Sequence, residues 1–205
     1  MDVFTEAIKS YISIKGFETS ILSTVKDTSY NETDGNYLCN SLQEVINMDS
    51  VARKCYRKIC RPYSYSENDS VKSVDAIMTS KDSIYFVEYK DAKISKQLKK
   101  DISIKAYSTV LMLIDILEDS GKDFFGLNNP IDYFRKNVKY IFVYSSVKNP
   151  TEFVQENNTR LIGLEYTPEY MNKLKDYIFL DACAMSEQTF ENDFLKDVII
   201  CNENK

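Results

Sequence analysis

Residues 73–93, SVDAIMTSKDSIYFVEYKDAK, constrain the fold of this 205-residue chain more tightly than any other stretch. Val74, Ile77 and Met78 on one arm, and Ile84-Tyr85-Phe86-Val87 on the next, predict two strands joined by the turn Ser80-Lys81-Asp82-Ser83. Charges stand where a buried strand should carry none: Asp75 on the first arm, Glu88 and Lys90 on the second. Strand side chains alternate faces, so Glu88 and Lys90 point the same way. With the four turn residues unpaired, Thr79 faces Ile84. Counting back then brings Asp75 opposite Glu88, with Cβ atoms roughly 4.5–5.5 Å apart. Ile77 shares the face of Asp75, and Ile84 and Phe86 share that of Glu88, so both acids lie on the more apolar side. Two carboxylates held so close repel unless a cation lies between them. Lys90 is one candidate and a divalent metal is another.

An aspartate on one strand and an acid-x-Lys on the next, here Asp75 and Glu88-Tyr89-Lys90 after an apolar run, resembles the core of the PD-(D/E)xK nuclease superfamily. Val74 stands where that family carries proline. The resemblance implies a restriction-endonuclease-like α/β fold, a mixed β-sheet flanked by helices in a single domain. It implies Asp75, Glu88 and Lys90 as catalytic residues and Mg2+ or Mn2+ as cofactor. Asp75, Glu88 and the Tyr89 backbone carbonyl would be ligands, and Lys90 would orient the attacking water. The reaction implied is phosphodiester hydrolysis, with DNA the expected substrate. The family often places a further acidic ligand on the helical segment before the hairpin, where this chain has Glu44; a solvated helix glutamate explains that residue equally well. The alternative is a nuclease-like scaffold that no longer cuts and acts as a binding or regulatory module.

Composition narrows the chemistry. There is no histidine, and the five cysteines include no CxxC pair, which argues against structural zinc and against a histidine base or Cys–His couple. Carboxylates, lysines and tyrosines must carry any catalysis. The net charge of −5 is unevenly spread. Residues 53–105 hold 13 Lys/Arg against 7 Asp/Glu, while residues 150–205 hold 5 against 11. A basic band on an acidic body suggests a local footprint for nucleic acid. The acidic C-terminal part suits a protein partner or a homodimer contact. No signal-like or membrane-length apolar block is present, so a cytoplasmic location is the expectation.

Along the chain, Phe4, Ile8, Tyr11 and Ile12 predict a helix over residues 3–14. Residues 17–25 are expected to form a second short helical stretch, and YNETDGN at 30–36 a polar turn. Leu38, Leu42, Val45 and Ile46, continued by Val51, Cys55 and Ile59, predict a helical region over 37–60, interrupted near 47–50. On it Arg53, Arg57 and Arg61 recur at i, i+4, i+8 with no acidic partner recognised. They are candidate phosphate contacts, as are Lys93, Lys99 and Lys105 beyond the hairpin. Ser95 is placed to cap a long helix whose stripe is Leu98, Ile102, Ala106, Val110, Leu113 and Leu117. Residues 138–144, VKYIFVY, predict a strand buried on both faces. Strands at 160–166 and 177–183, a proline-opened helix at 168–175 and a closing helix over 188–200 complete the expectation. The core spans about 37–145, after an N-terminal helical segment (1–30) and before a C-terminal α/β addition (150–205).

Overall fold

The computed structural model describes residues 3–14, 16, 20–56, 71–80, 83–120, 125, 129–175 and 177–198. Helix α1 (Val3–Ile14) forms where its spacing predicts, with Phe4, Ile8, Tyr11 and Ile12 buried. The next elements are β1 (Leu22–Thr24), the one-turn helix α2 (Val25–Thr28), a small hairpin of β2 (Tyr30–Asn31) and β3 (Asn36–Tyr37), and β4 (Glu44–Asn47).

Two helical expectations are corrected here. The described part of 17–25 holds strand β1, because Leu22, Ser23 and Thr24 pair antiparallel with Ile46, Val45 and Glu44. The region 37–60 begins as loop and strand. Leu42, counted in its apolar stripe, is exposed, while the β-branched neighbours Val45 and Ile46 are both buried, one in each of two core clusters. A helix follows only after Asn47, whose side chain accepts a hydrogen bond from the Ser50 N–H at 2.9 Å. It opens as α3 (Met48–Ser50) and continues through Tyr56 with wider turns.

The central hairpin has the expected register. β5 (Ala76–Thr79) and β6 (Ile84–Lys90) pair Thr79 with Ile84 and Ala76 with Val87. The turn is closed by the Ser80 N–H donating to Ser83 O at 2.8 Å. Helix α4 (Lys96–Asp119) is capped by Ser95 Oγ, and all six residues of its apolar stripe are buried. α5 (Pro130–Asn137) then leads into β7 (Val138–Tyr144), whose bounds match the expected strand.

Beyond β7 comes α6 (Pro150–Leu161), so the strand expected over 160–166 is the end of this helix and a loop. Leu161, Ile162 and Leu164 are exposed there and have no sheet to join. The proline-opened helix is a single tight turn (Glu169–Met171). The last strand, β8 (Asp181–Ser186), sits later than the expected 177–183. Its small residues have weak strand preference, and its position is set by parallel pairing of Lys139–Tyr144 with Asp181–Ser186. α7 (Glu187–Thr189) continues as helix to residue 198.

These elements make one α/β domain around a six-stranded mixed sheet of order β1-β4-β5-β6-β7-β8. β4, β5 and β6 are antiparallel, whereas β6–β7 and β7–β8 are parallel and need the crossovers that contain α4 and α6. One face packs Ile77, Phe86, Tyr140 and Phe142 against α1 and α4; the other packs Met78, Val87, Ile141 and Val143 against Phe190, Leu195 and Val198. Cys39 and Cys183 are buried thiols in this second layer. Among the described residues no helix is long and apolar enough to cross a membrane.

Candidate active site

The site is built where β5 begins and β6 ends. Beyond Ala76, the Asp75 N–H still donates to Val87 O at 3.2 Å, and the Asp75 carbonyl accepts from the Met48 N–H at 3.1 Å. Asp75 sits one residue beyond the last paired position, Ala76–Val87, on the sheet face that Glu88 shares. Its Oδ2 then accepts from the Tyr89 N–H at 2.7 Å, so the carboxylate serves a backbone donor that β5 is too short to reach. By strand alternation the Tyr89 carbonyl faces the same side. The Tyr89 ring lies in the other core layer, edge-on to Phe190.

The cation between the two acids is Lys105. Its Nζ donates to Asp75 Oδ1 at 2.9 Å and to Glu88 Oε1 and Oε2 at 2.7 and 2.9 Å. Lys90 stands farther off, 3.9 Å from Glu88 Oε1, with its side chain 38 % exposed. Lys105 sits on α4 beside Ala106 and one turn after Ile102, both buried. Thr109, one turn later, fixes that stretch of helix: its Oγ1 donates to Lys105 O at 2.8 Å and accepts from the Val74 N–H at 2.9 Å. Lys105 and Asp75 are thus positioned through a single buried hydroxyl.

Burial works strongly on these groups. It pushes the Glu88 carboxyl up, and the facing Asp75 carboxylate adds to the effect. Lys105 and Lys90 pull the other way, leaving Glu88 at about 8. Burial also opposes the Lys105 charge, but Asp75 and Glu88 outweigh it and hold the ammonium protonated well above its ordinary range.

A cleft of about 670 Å³ opens over this strand end. Asp75, Lys90 and Lys105 line it, with Arg53, Lys93 and Lys148 around them. Glu88 is 1 % exposed and lies beneath, bonded to Lys105. The opposite wall is the β2–β3 hairpin, whose turn is closed by Gly35 at φ 66°, a conformation that suits glycine. The hairpin is tied to Asp91, the residue after Lys90. Asn31 Nδ2 donates to Asp91 O at 3.2 Å and Asn36 Nδ2 to Asp91 Oδ2 at 3.0 Å. Lys148 pairs with Asp91 at 3.0 Å and with Asp34 at 2.5 Å.

The other candidates divide. Arg53 and Lys93 line the cleft. Arg53 also pairs with Asp49 at 3.7 Å, an i, i+4 acidic partner that the helical-stripe argument overlooked. Lys99 leaves the cleft and sits 4.9 Å from the centre of the Tyr170 ring. Arg57 and Arg61 lie outside the described residues. Glu44 is on a strand and not a helix. Register places it beside Thr79, four residues and about 13 Å of strand from Asp75, so it is no ligand of this site. Asn31, Asp91 and Lys148 escaped sequence reasoning; the dense Asn/Asp turn at 31–36 was the available signal.

Among the described residues no group of three or more His, Cys, Asp or Glu side chains is placed to hold a metal ion. Two carboxylates and a carbonyl still match magnesium, which takes one or two carboxylates and keeps waters or substrate oxygens for the rest. The Lys105 ammonium, within 2.9 Å of three carboxylate oxygens, marks where they jointly accommodate positive charge. Comparison with family models, curated proteins and solved structures returned no match.

Proposed function

We propose that this chain is a Mg2+- or Mn2+-dependent nuclease of the restriction-endonuclease-like, PD-(D/E)xK type, hydrolysing phosphodiester bonds, with DNA the substrate. The observation that carries the reading is the convergence of Asp75, Glu88, Lys90 and Lys105 at one sheet end under a cleft rimmed by Arg53 and Lys93. Three antiparallel strands followed by a helix and a strand parallel to the third also agree with that family's core.

Asp75, Glu88 and the Tyr89 carbonyl would hold the metal. When bound, the metal lowers the pKa of its water and stabilises charge on the phosphate. The chain's own residues do the rest. Asp75 is fixed by its bond from Tyr89, and Lys90 reaches the cleft to orient water and offset charge that develops on the phosphate. Arg53 and Lys93 hold the flanking phosphates. Lys105, which bonds both carboxylates, would be free to contact the substrate phosphate if they held the metal.

The second reading, a scaffold that binds without cutting, is favoured by one observation: Lys105 already bridges both acids. The test is incubation of plasmid and single-stranded DNA with purified protein and Mg2+ or Mn2+. Cleavage that stops with chelator and with Glu88→Ala is expected. Metal-dependent binding without cleavage selects the second reading, and cleavage that persists in chelator refutes the first.

A further inference from the structure

Opposite the carboxylates, the β2–β3 hairpin carries two tyrosines in register. Tyr30 pairs with Tyr37, their ring centroids are 4.9 Å apart, and the two residues are 45 % and 44 % exposed. Tyr30 lines the cleft, and the Lys26 ammonium sits 4.8 Å from the Tyr37 ring centre. A cross-strand aromatic pair helps to hold a hairpin together. This hairpin, however, already has polar anchors, from Asn31 and Asn36 to Asp91 and from Asp34 to Lys148. Those anchors fix the rings relative to Asp91, which is three residues from Glu88. Exposed aromatic faces beside a basic groove are what single-stranded nucleic acid stacks on, since every base presents a π-face.

We propose that Tyr30, backed by Tyr37, forms a stacking platform for an unpaired nucleobase, so that the substrate enters this cleft as a single strand or a frayed end rather than as an intact duplex. The inference rests on the nuclease reading. A base on Tyr30 sets the strand's position in the cleft, and Lys26 adds a cation beside the rings.

The test is fluorescence anisotropy, in chelator so that nothing is cut, with a labelled oligothymidylate, the same strand carrying abasic residues, and a blunt duplex. The wild type should prefer the oligothymidylate to the abasic strand roughly tenfold, and Tyr30→Ala should erase that preference while Tyr30→Phe keeps it. This first comparison needs no variant, so misfolding of the alanine protein cannot mask the answer. Equal affinity of wild type for normal and abasic strands overturns the platform and leaves the nuclease reading standing. So does tighter binding of the duplex. Binding to none of the three probes, with no metal-dependent cleavage, overturns both.

Discussion

Lys105 Nζ stands 2.7 and 2.9 Å from the two oxygens of Glu88, a residue seventeen positions earlier and on a different element. Removing one partner of a buried ion cluster leaves the others without compensation, a loss of about 3–5 kcal/mol. Lys105→Met should therefore lower stability by about that amount in urea unfolding at pH 8.5 with chelator. Added Mn2+ should restore more stability to the variant than it adds to the wild type, because the ion replaces the missing charge. An equal metal effect in both proteins would show that the carboxylates are not its ligands.

Lys90 should separate binding from chemistry. Its ammonium reaches Glu88 only at 3.9 Å, and Lys105 holds Glu88 more closely, so alanine leaves the buried carboxyl its main partner. In calorimetry Lys90→Ala should bind Mn2+ as the wild type does while cleavage of single-stranded DNA falls by about 10²-fold or more, the scale of losing one electrostatic stabiliser. Asp75→Asn should lose both properties. If Lys90→Ala cuts normally, Lys105 takes over the assigned role.

Metal-free protein should carry a pH signature from Glu88. Its carboxyl is raised from 4.5 to about 8 by burial and by Asp75. Between those values the folded protein holds a proton that the unfolded chain has released. This group's contribution to stability is therefore fully present below pH 4.5 and is lost as pH rises towards 8. Glu88→Gln removes that titration, so in chelator its stability relative to wild type should rise steadily from pH 5 to pH 8. A pH-independent difference between the two proteins would contradict the assignment.

Thr109 offers a test of positioning without touching any charge. Thr109→Val keeps shape but leaves the buried Val74 N–H without its acceptor, costing about 1–3 kcal/mol. It should also reduce cleavage by more than it reduces metal affinity, because it frees the helix turn that aims Lys105. Thr109→Ser, which keeps the hydroxyl, should recover the activity. Failure of serine to rescue would assign Thr109 a packing role alone.

The hairpin was legible because its signal is local: a period of two, a four-residue turn and a charge pattern fix both register and face. The long helix was legible for the same reason. Misreadings fall where a strand is decided by its neighbours. Val45 and Ile46 are buried on opposite faces of a central strand, which gives no alternation to distinguish strand from helix. Asp181-Ala-Cys-Ala-Met-Ser becomes a strand by pairing with β7, not through its own preference. Lys105 was recognised as a substrate contact but not as the cation between the acids. It looks like one more lysine on a polar face, and only α4's docking turns it inward. The demand for a cation between Asp75 and Glu88 was readable; which lysine met it depended on tertiary packing.

The order in which these charges emerge has a consequence for folding. The hairpin that carries Asp75 and Glu88 is local and can close within microseconds, whereas Lys105 reaches it only when the long helix α4 docks. In that interval the two acids face each other with no ammonium between them, so the nascent hairpin is held open or takes up a proton. Docking of α4 ends the conflict and commits the sheet, because the same helix delivers Lys105 and begins the crossover to β7. Assembly of this end of the sheet is therefore a late and cooperative event, although its two acids lie only thirteen residues apart in sequence.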